Sequence, residues 1–256
     1  MSNIVKKKGG ALVAIEKELA AQAQIARATE ESVQTGQFFG TQGGILTFNG
    51  SPVKDNKMQV VILDHILANI FYEGKFNSKT PTPPVCYAFG RVDAELVPHE
   101  KAPKKQNEQC KGCPKNDWGT ADTGRGKACK NSRRLACIDA TVIDKPGNIA
   151  DAAVAYLSVP VTSVKGWAGY VRGVADSLGR PPFGVVTEVS LVPDSDDQFK
   201  MVFRSVEKVE SSQALAMLLA KQKLVSKDIG FPFPEIEESA PTRKAAKPAA
   251  RKFARR

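Results

Sequence analysis

The residues best suited to chemistry are five cysteines, spaced Cys86-x23-Cys110-x2-Cys113-x15-Cys129-x7-Cys137. A Cys-x2-Cys turn aims two thiolates at one point, as a tetrahedral Zn²⁺ requires, and two more ligands must come from elsewhere. We take Cys86, which follows Pro83 and Pro84, and Cys129, which closes a Gly-rich loop, as those two. His99 is an alternative to Cys86 and would give a Cys3His set. Cys137 is left over; in Leu135-Ala136-Cys137-Ile138 it reads as a buried free cysteine, which behaves as a small hydrophobe. Four thiolates fill the coordination shell, so the expected metal is structural and offers no position to a reacting water. An iron–sulfur cluster also takes four thiolates, and the spacing does not separate it from zinc. The residues between the ligands are small, polar and basic, so metal binding would supply the module's folding free energy, about 10–16 kcal/mol in comparable sites.

The same stretch has the makings of a nucleic-acid surface. Trp118 stands among Lys111, Lys115, Arg125, Lys127, Lys130, Arg133 and Arg134. Exposed, it would stack on bases while the cations met phosphates; buried, it would be the small core of the metal loop. Tyr72 and Tyr87 join it as expected exposed rings, because each adjoins Gly, Pro or charge. Trp167 and Tyr170, flanked by Lys165 and Arg172, could form a second stacking face but suit the core of a helix better.

Catalytic patterns are missing. His65 lies in an apolar run and His99 in a Pro-rich loop, neither in a Ser-His-Asp or Cys-His arrangement. Asp194, Asp196 and Asp197 share a turn, and no spacing unites Asp64, Asp93 and Glu188 as a two-metal nuclease would need. Gly126-Lys127-Ala128 ends no phosphate-binding loop. The chain reads as a binding protein and not an enzyme.

The composition is that of a globular protein: 256 residues, 42% hydrophobic and 25% charged. The net charge of +10 is equalled by Lys6, Lys7 and Lys8 together with the seven Lys/Arg of residues 242–256. Between these ends, residues 101–135 carry +7 and the remainder −7. A weakly acidic body with a basic module and two basic ends attracts polyanions by releasing their counterions. No apolar run reaches the roughly 18 residues of a spanning helix. The basic start has no apolar stretch behind it, which predicts no signal peptide, a cytoplasmic location and reduced thiols.

These residues must be held by something. Residues 1–36 read as a basic, helical arm, with the helix over 11–33. Residues 37–241 read as one domain, with the cysteine module inserted at 86–137 and a disordered basic tail over 242–256. Strands are predicted at 38–40, 45–48, 58–72, 135–143, 153–160, 183–192 and 198–206. Helices are predicted at 164–178, with Thr162 or Ser163 as N-cap and Gly179 as C-cap, and at 211–223. The class is mainly β with flanking helices (α+β), and an OB-like β-barrel with an inserted zinc-ribbon module accounts for the order.

Three phrases, PPVCYAFG, CKGCPKNDWGTADTGRGKACKNSRRLA and AYLSVPVTSVKGWAGYV, resemble a group of uncharacterised tailed-bacteriophage proteins. The resemblance covers residues 38–206, about two-thirds of the chain. By architecture that group is similar to phage single-stranded DNA-binding proteins whose OB fold carries an inserted zinc knuckle. It implies Cys86, Cys110, Cys113 and Cys129 as metal ligands. It also implies single-stranded DNA as partner, alongside phage replication or recombination proteins, in the cytoplasm of an infected host. Those proteins commonly end in an acidic tail, whereas this chain ends in a basic one. The rival readings are a zinc-ribbon adaptor for a replication or transcription protein and, less well supported, a metal-dependent nuclease.

Overall fold

The structure, a computed structural model, describes residues 37–74, 82–122 and 124–233, together with Ile15, Glu18, Leu19, Ala21 and Gln22, which are helical. The rest of the expected 11–33 helix, the basic start and the 242–256 tail lie outside the described residues.

The strands are β1 (Gln37–Gly40), β2 (Thr47–Phe48), β3 (Ser51–Pro52), β4 (Lys57–Phe71), β5 (Cys86–Gly90), β6 (Lys130–Asp139), β7 (Ala155–Val159), β8 (Val185–Asp194) and β9 (Gln198–Lys208). The helices are α1 (Val164–Leu178) and α2 (Ser212–Asp228). One mixed sheet runs β3-β2-β1-β7-β6-β4-β8-β9, with β5 also paired to β4. The β1–β7 pair is parallel, and the neighbours of β4 are antiparallel to it. The expected mainly β, α+β class is therefore present as a curled mixed sheet, a half-barrel, with two helices.

β4 organises the fold. Its sequence, KMQVVILDHILANIF, is nearly continuous in apolar residues because both faces are covered, where a half-exposed strand would alternate. On one face Val60 and Ile62 pack with Leu135, Cys137, Leu157, Val159 and Trp167 of α1. On the other, Val61, Leu63 and Ile66 meet Ala136, Ile138 and Ala214, Leu218 and Val225 of α2. β6 lies along one edge of β4, with a register shift between Ile62 and Asp64. The other edge is divided: β8 pairs with residues 57–60 and β5 with residues 67–71.

The expected C-cap of α1 is present, and neither expected N-cap residue caps it with its side chain. Gly179 closes α1 at φ 61°, a left-handed conformation that glycine adopts without strain, and its N–H donates to Ala175 O. Ser163 precedes α1, but its Oγ accepts from the Met201 N–H at 2.9 Å, tying the helix start to β9. Ser211 Oγ accepts from the Ala214 N–H at 3.2 Å and caps α2, which runs to Asp228, past the expected end at Lys223.

The other marked differences from the sequence reading flank the cysteines. The module expected over 86–137 begins and ends in strands of the sheet, β5 and β6, so the insertion proper is residues 91–129. Backbone pairing to β4 captures both ends, whatever their composition. The strand expected over 135–143 starts earlier, at Lys130, and stops at Asp139. There the Asp139 carboxylate accepts from the Thr141 N–H at 2.8 Å and turns the chain into a 3-10 helix. Among the described residues no helix is long and apolar enough to cross a membrane.

Candidate metal centre and basic face

Cys86, Cys110, Cys113 and Cys129 line one cavity beneath the 91–129 insertion. Each arrives from a different local device. Cys86 opens β5, opposite Phe71 of β4. Cys110 is pinned by its N–H to Leu96 O at 2.9 Å. Gly112, at φ 75°, turns the chain so that Cys113 comes back to the same cavity. Asn116 Nδ2 donates to Cys110 O at 3.1 Å, which braces that turn. The Cys129 N–H reaches Lys115 O at 2.7 Å and closes the loop just before β6.

The cavity volume is about 20 Å³. That is room for one ion or one water and for no organic ligand. Burial pushes the thiols of Cys86 and Cys110 up, and that of Cys129 up to about 12, with the other thiols of the cavity adding to the effect on each. A cation among them would reverse that preference, since metal binding releases thiol protons. Among the described residues, however, no three His, Cys, Asp or Glu side chains are already gathered into a metal-holding group. The four sulfurs share a cavity without having closed on a single point.

Asn69 tests whether a metal fits. It is 2% exposed and lines the cavity from β4. Its Oδ1 accepts from Asn131 Nδ2 at 2.6 Å across the β4–β6 pair, which turns its own Nδ2 toward the cysteines. That Nδ2 faces Cys110 and favours its thiolate, yet it has no partner at hydrogen-bond distance. A buried N–H2 without an acceptor is costly, and a thiolate held by a metal would supply one. The donor set and this orphaned amide both fit a thiolate-bound metal. Cys137 sits elsewhere, fully buried in β6 with its thiol pushed up by burial, as expected of the spare cysteine. His99 does not line the cavity. Its ring stacks on Tyr87 at 5.2 Å and its Nδ1 accepts from the Lys101 N–H, so the structure places it apart from the four thiols.

Outside the cavity, Trp118 is 79% exposed, beside Gly126. Lys111, Lys115, Arg125 and Lys130 are exposed near it in the chain, and Lys127 is half-buried with Nζ donating to Asn116 Oδ1 at 3.3 Å. Lys115 lies over the Phe71 ring at 5.3 Å, so it also roofs the cavity. Tyr72 is exposed as expected. Arg133 is half-buried, with Nη1 donating to Ser132 O at 2.8 Å.

Two expected surface residues are inside. Tyr87 is 2% exposed, because its place opposite Ile70 turns it to the α2 face, where its hydroxyl donates to Lys101 O. Arg134 is 8% exposed, held between the rings of Phe89 at 3.9 Å and Phe231 at 4.2 Å, and its Nη1 donates to Ile229 O and Phe231 O. Burial lowers its pKa to about 10. It anchors residues 229–233 to the sheet and has no free face for a phosphate. Trp167 is core, 2% exposed, and Tyr170 is half-buried with its hydroxyl on Thr187 Oγ1.

The carboxylates weighed for nuclease chemistry are dispersed. Asp64 pairs with Arg91, and Glu188 with Arg204 at 3.2 Å. The sequence reading missed Asn69 and Asn131. The available signal was a lone amide in the otherwise apolar run Ile66-Leu67-Ala68-Asn69-Ile70-Phe71. No family model, curated protein or solved structure matches the chain.

Proposed function

We propose that this chain is a single-stranded nucleic-acid-binding protein, built on an OB-like half-barrel with a zinc knuckle at residues 91–129. One observation carries the reading: an exposed Trp118 on a loop that also exposes Lys111, Lys115 and Arg125, with exposed Lys130 just after it and only Asp117 and Asp122 as exposed acids among them. An indole so exposed contributes little to folding and leaves a face for a base, while lysines and arginines neutralise the phosphates. Zinc held by Cys86, Cys110, Cys113 and Cys129 would supply a cross-link and no catalysis, since four thiolates leave no open position. The resemblance to tailed-bacteriophage proteins adds the setting: covering single strands in phage replication or recombination, in the host cytoplasm.

The test is binding of a labelled oligo-dT against a hairpin duplex over a salt series. The wild-type chain should prefer the single strand, and Trp118→Ala should weaken that binding by about 1–3 kcal/mol, one stacked base, with unchanged thermal stability. Equal affinity for single strand and duplex, or wild-type affinity in a folded Trp118→Ala protein, overturns the proposal. Binding that vanishes without residues 242–256 would favour the adaptor reading instead.

A further inference from the structure

A second feature lies on the same face of β4 as the cysteine cavity. In a strand, residues two apart share a face, about 7 Å from each other. Asn69 lines the metal cavity, Leu67 comes next, and His65 after it. Leu67 and His65 line a separate cleft of about 310 Å³ between the insertion and α1. Its rim carries three guanidinium groups, Arg91 after β5, Arg133 on β6 and Arg172 on α1, over an apolar floor of Leu67, Ala168 and Val171. Its volume is at the low end for small-molecule sites, about 300–1,000 Å³.

The three arginines are not equivalent. Arg91 is committed to Asp64, with Nη1 3.0 Å from Oδ1, and also donates to His65 O at 3.3 Å. Arg133 and Arg172 have no carboxylate partner among the described residues; Asp93 is the one acid whose charge reaches Arg133. No carboxylate lines the cleft. His65 stands edge-on to Trp167 at 5.3 Å, closing the wall on the core side. Arg133 and Arg172 thus line one cleft that holds no carboxylate, and an anion seated there would meet both positive charges. A guanidinium recognises phosphate through paired N–H donors, and the floor suits the sugar or base attached to it.

We infer that this cleft seats one nucleotide unit of a bound single strand, its phosphate between Arg133 and Arg172 and its nucleoside on the Leu67–Ala168–Val171 floor. The inference rests on the nucleic-acid reading above and extends the interface from the Trp118 loop to α1. Because Arg172 is exposed on a helix, its substitution leaves the core intact.

The experiment measures oligo-dT and oligo-rU affinity of the full chain over a salt series for Arg172→Glu, Arg133→Gln, Arg172→Lys and the control Lys223→Glu. The control changes the same net charge on α2, across the sheet. Arg172→Glu and Arg133→Gln should each weaken binding about tenfold, the loss of a charge-assisted phosphate contact. Each should also lower the slope of log affinity against log salt by about 0.7, one phosphate on a single strand. Arg172→Lys should recover most of the charge term. If Arg172→Glu behaves as Lys223→Glu does while Trp118→Ala still weakens binding, the cleft is not a nucleotide seat and the nucleic-acid reading stands. If the wild-type chain does not prefer single strands, both fall. Should Arg133→Gln melt early, Arg172→Glu decides alone.

Discussion

The sheet and the 91–129 insertion hold their shape by different means. Around β4 the chain buries apolar side chains on both faces: Val60 and Ile62 toward α1, Val61 and Leu63 toward α2. The insertion adds only a few residues to two small apolar clusters, Leu96 and Cys110 against Ala88 and Ala102 against Ile70 and Tyr87, and otherwise relies on short turns, backbone hydrogen bonds and the cysteine cavity. Burial of carbon at roughly 25 cal/mol per Å² stabilises the first, and the second has little carbon to bury. A region with so little core still presents an exposed Trp118, with Lys111, Lys115 and Arg125 exposed near it in the chain.

That contrast can be broken most sharply at the cysteines. Cys113→Ser, or removal of metal by a strong chelator, should forfeit much of the roughly 10–16 kcal/mol that a structural zinc supplies. The insertion should lose its fold while β4, β6 and β8 persist. Hydrogen exchange would show amides of 91–129 becoming unprotected with β4 still slow, and elemental analysis would show the loss of one zinc. Uniform loss of protection across both regions would mean that they are one cooperative unit.

The complementary change is Trp167→Ala. Trp167 fills the space between α1 and the sheet, touching Phe203 at 4.9 Å and His65 at 5.3 Å between ring centres. Its truncation should cost about 3–5 kcal/mol, read as a lower denaturant midpoint, with metal content unchanged.

A finer change acts where the regions meet. Asn69→Ala removes the amide aimed at Cys110 and leaves Asn131 without its acceptor. Metal affinity should fall about 10–100-fold in a chelator competition, the usual effect of losing a group that supports a ligand. Asn131→Ala should do the same more weakly, by freeing Asn69 to turn.

The smallest effect expected is on the acid limb of stability. Burial alone would raise the Asp64 carboxyl, but hydrogen bonds from Arg91, Ser226 and the His65 N–H, with the Arg91 charge, outweigh it and hold the group below its ordinary value. A depressed carboxyl stabilises the fold above its unfolded pKa and loses that contribution as pH falls through the folded one. Asp64→Asn should therefore be less stable than wild type at pH 7, and the difference should shrink below about pH 4. Urea midpoints at the two pH values measure it.

Much of the scaffold was legible because its signals are local. The apolar run of β4 and Gly179 after α1 act within a few residues of themselves, whereas Ser163, read as a candidate N-cap, bonds instead to β9. The four metal candidates were legible for the same reason, since Cys-x2-Cys needs only a turn. Tyr87 and Arg134 were misread because their neighbours in sequence, Pro84 and Arg133, are not their neighbours in space. Tyr87 faces inward because β5 pairs in register with β4, and Arg134 is buried because Phe231 folds back onto it from almost a hundred positions away.

By itself the order of residues determined the type of most elements, the burial of Cys137 in an apolar strand and the excess of positive charge over residues 101–135. Tertiary structure alone decided which face of β4 each side chain occupies, that Asn69 points at the cysteines, and that Arg133 and Arg172 come to border one cleft. Those outcomes depend on strand register and on how α1 crosses the sheet, and such long-range pairings leave no periodic trace in the chain.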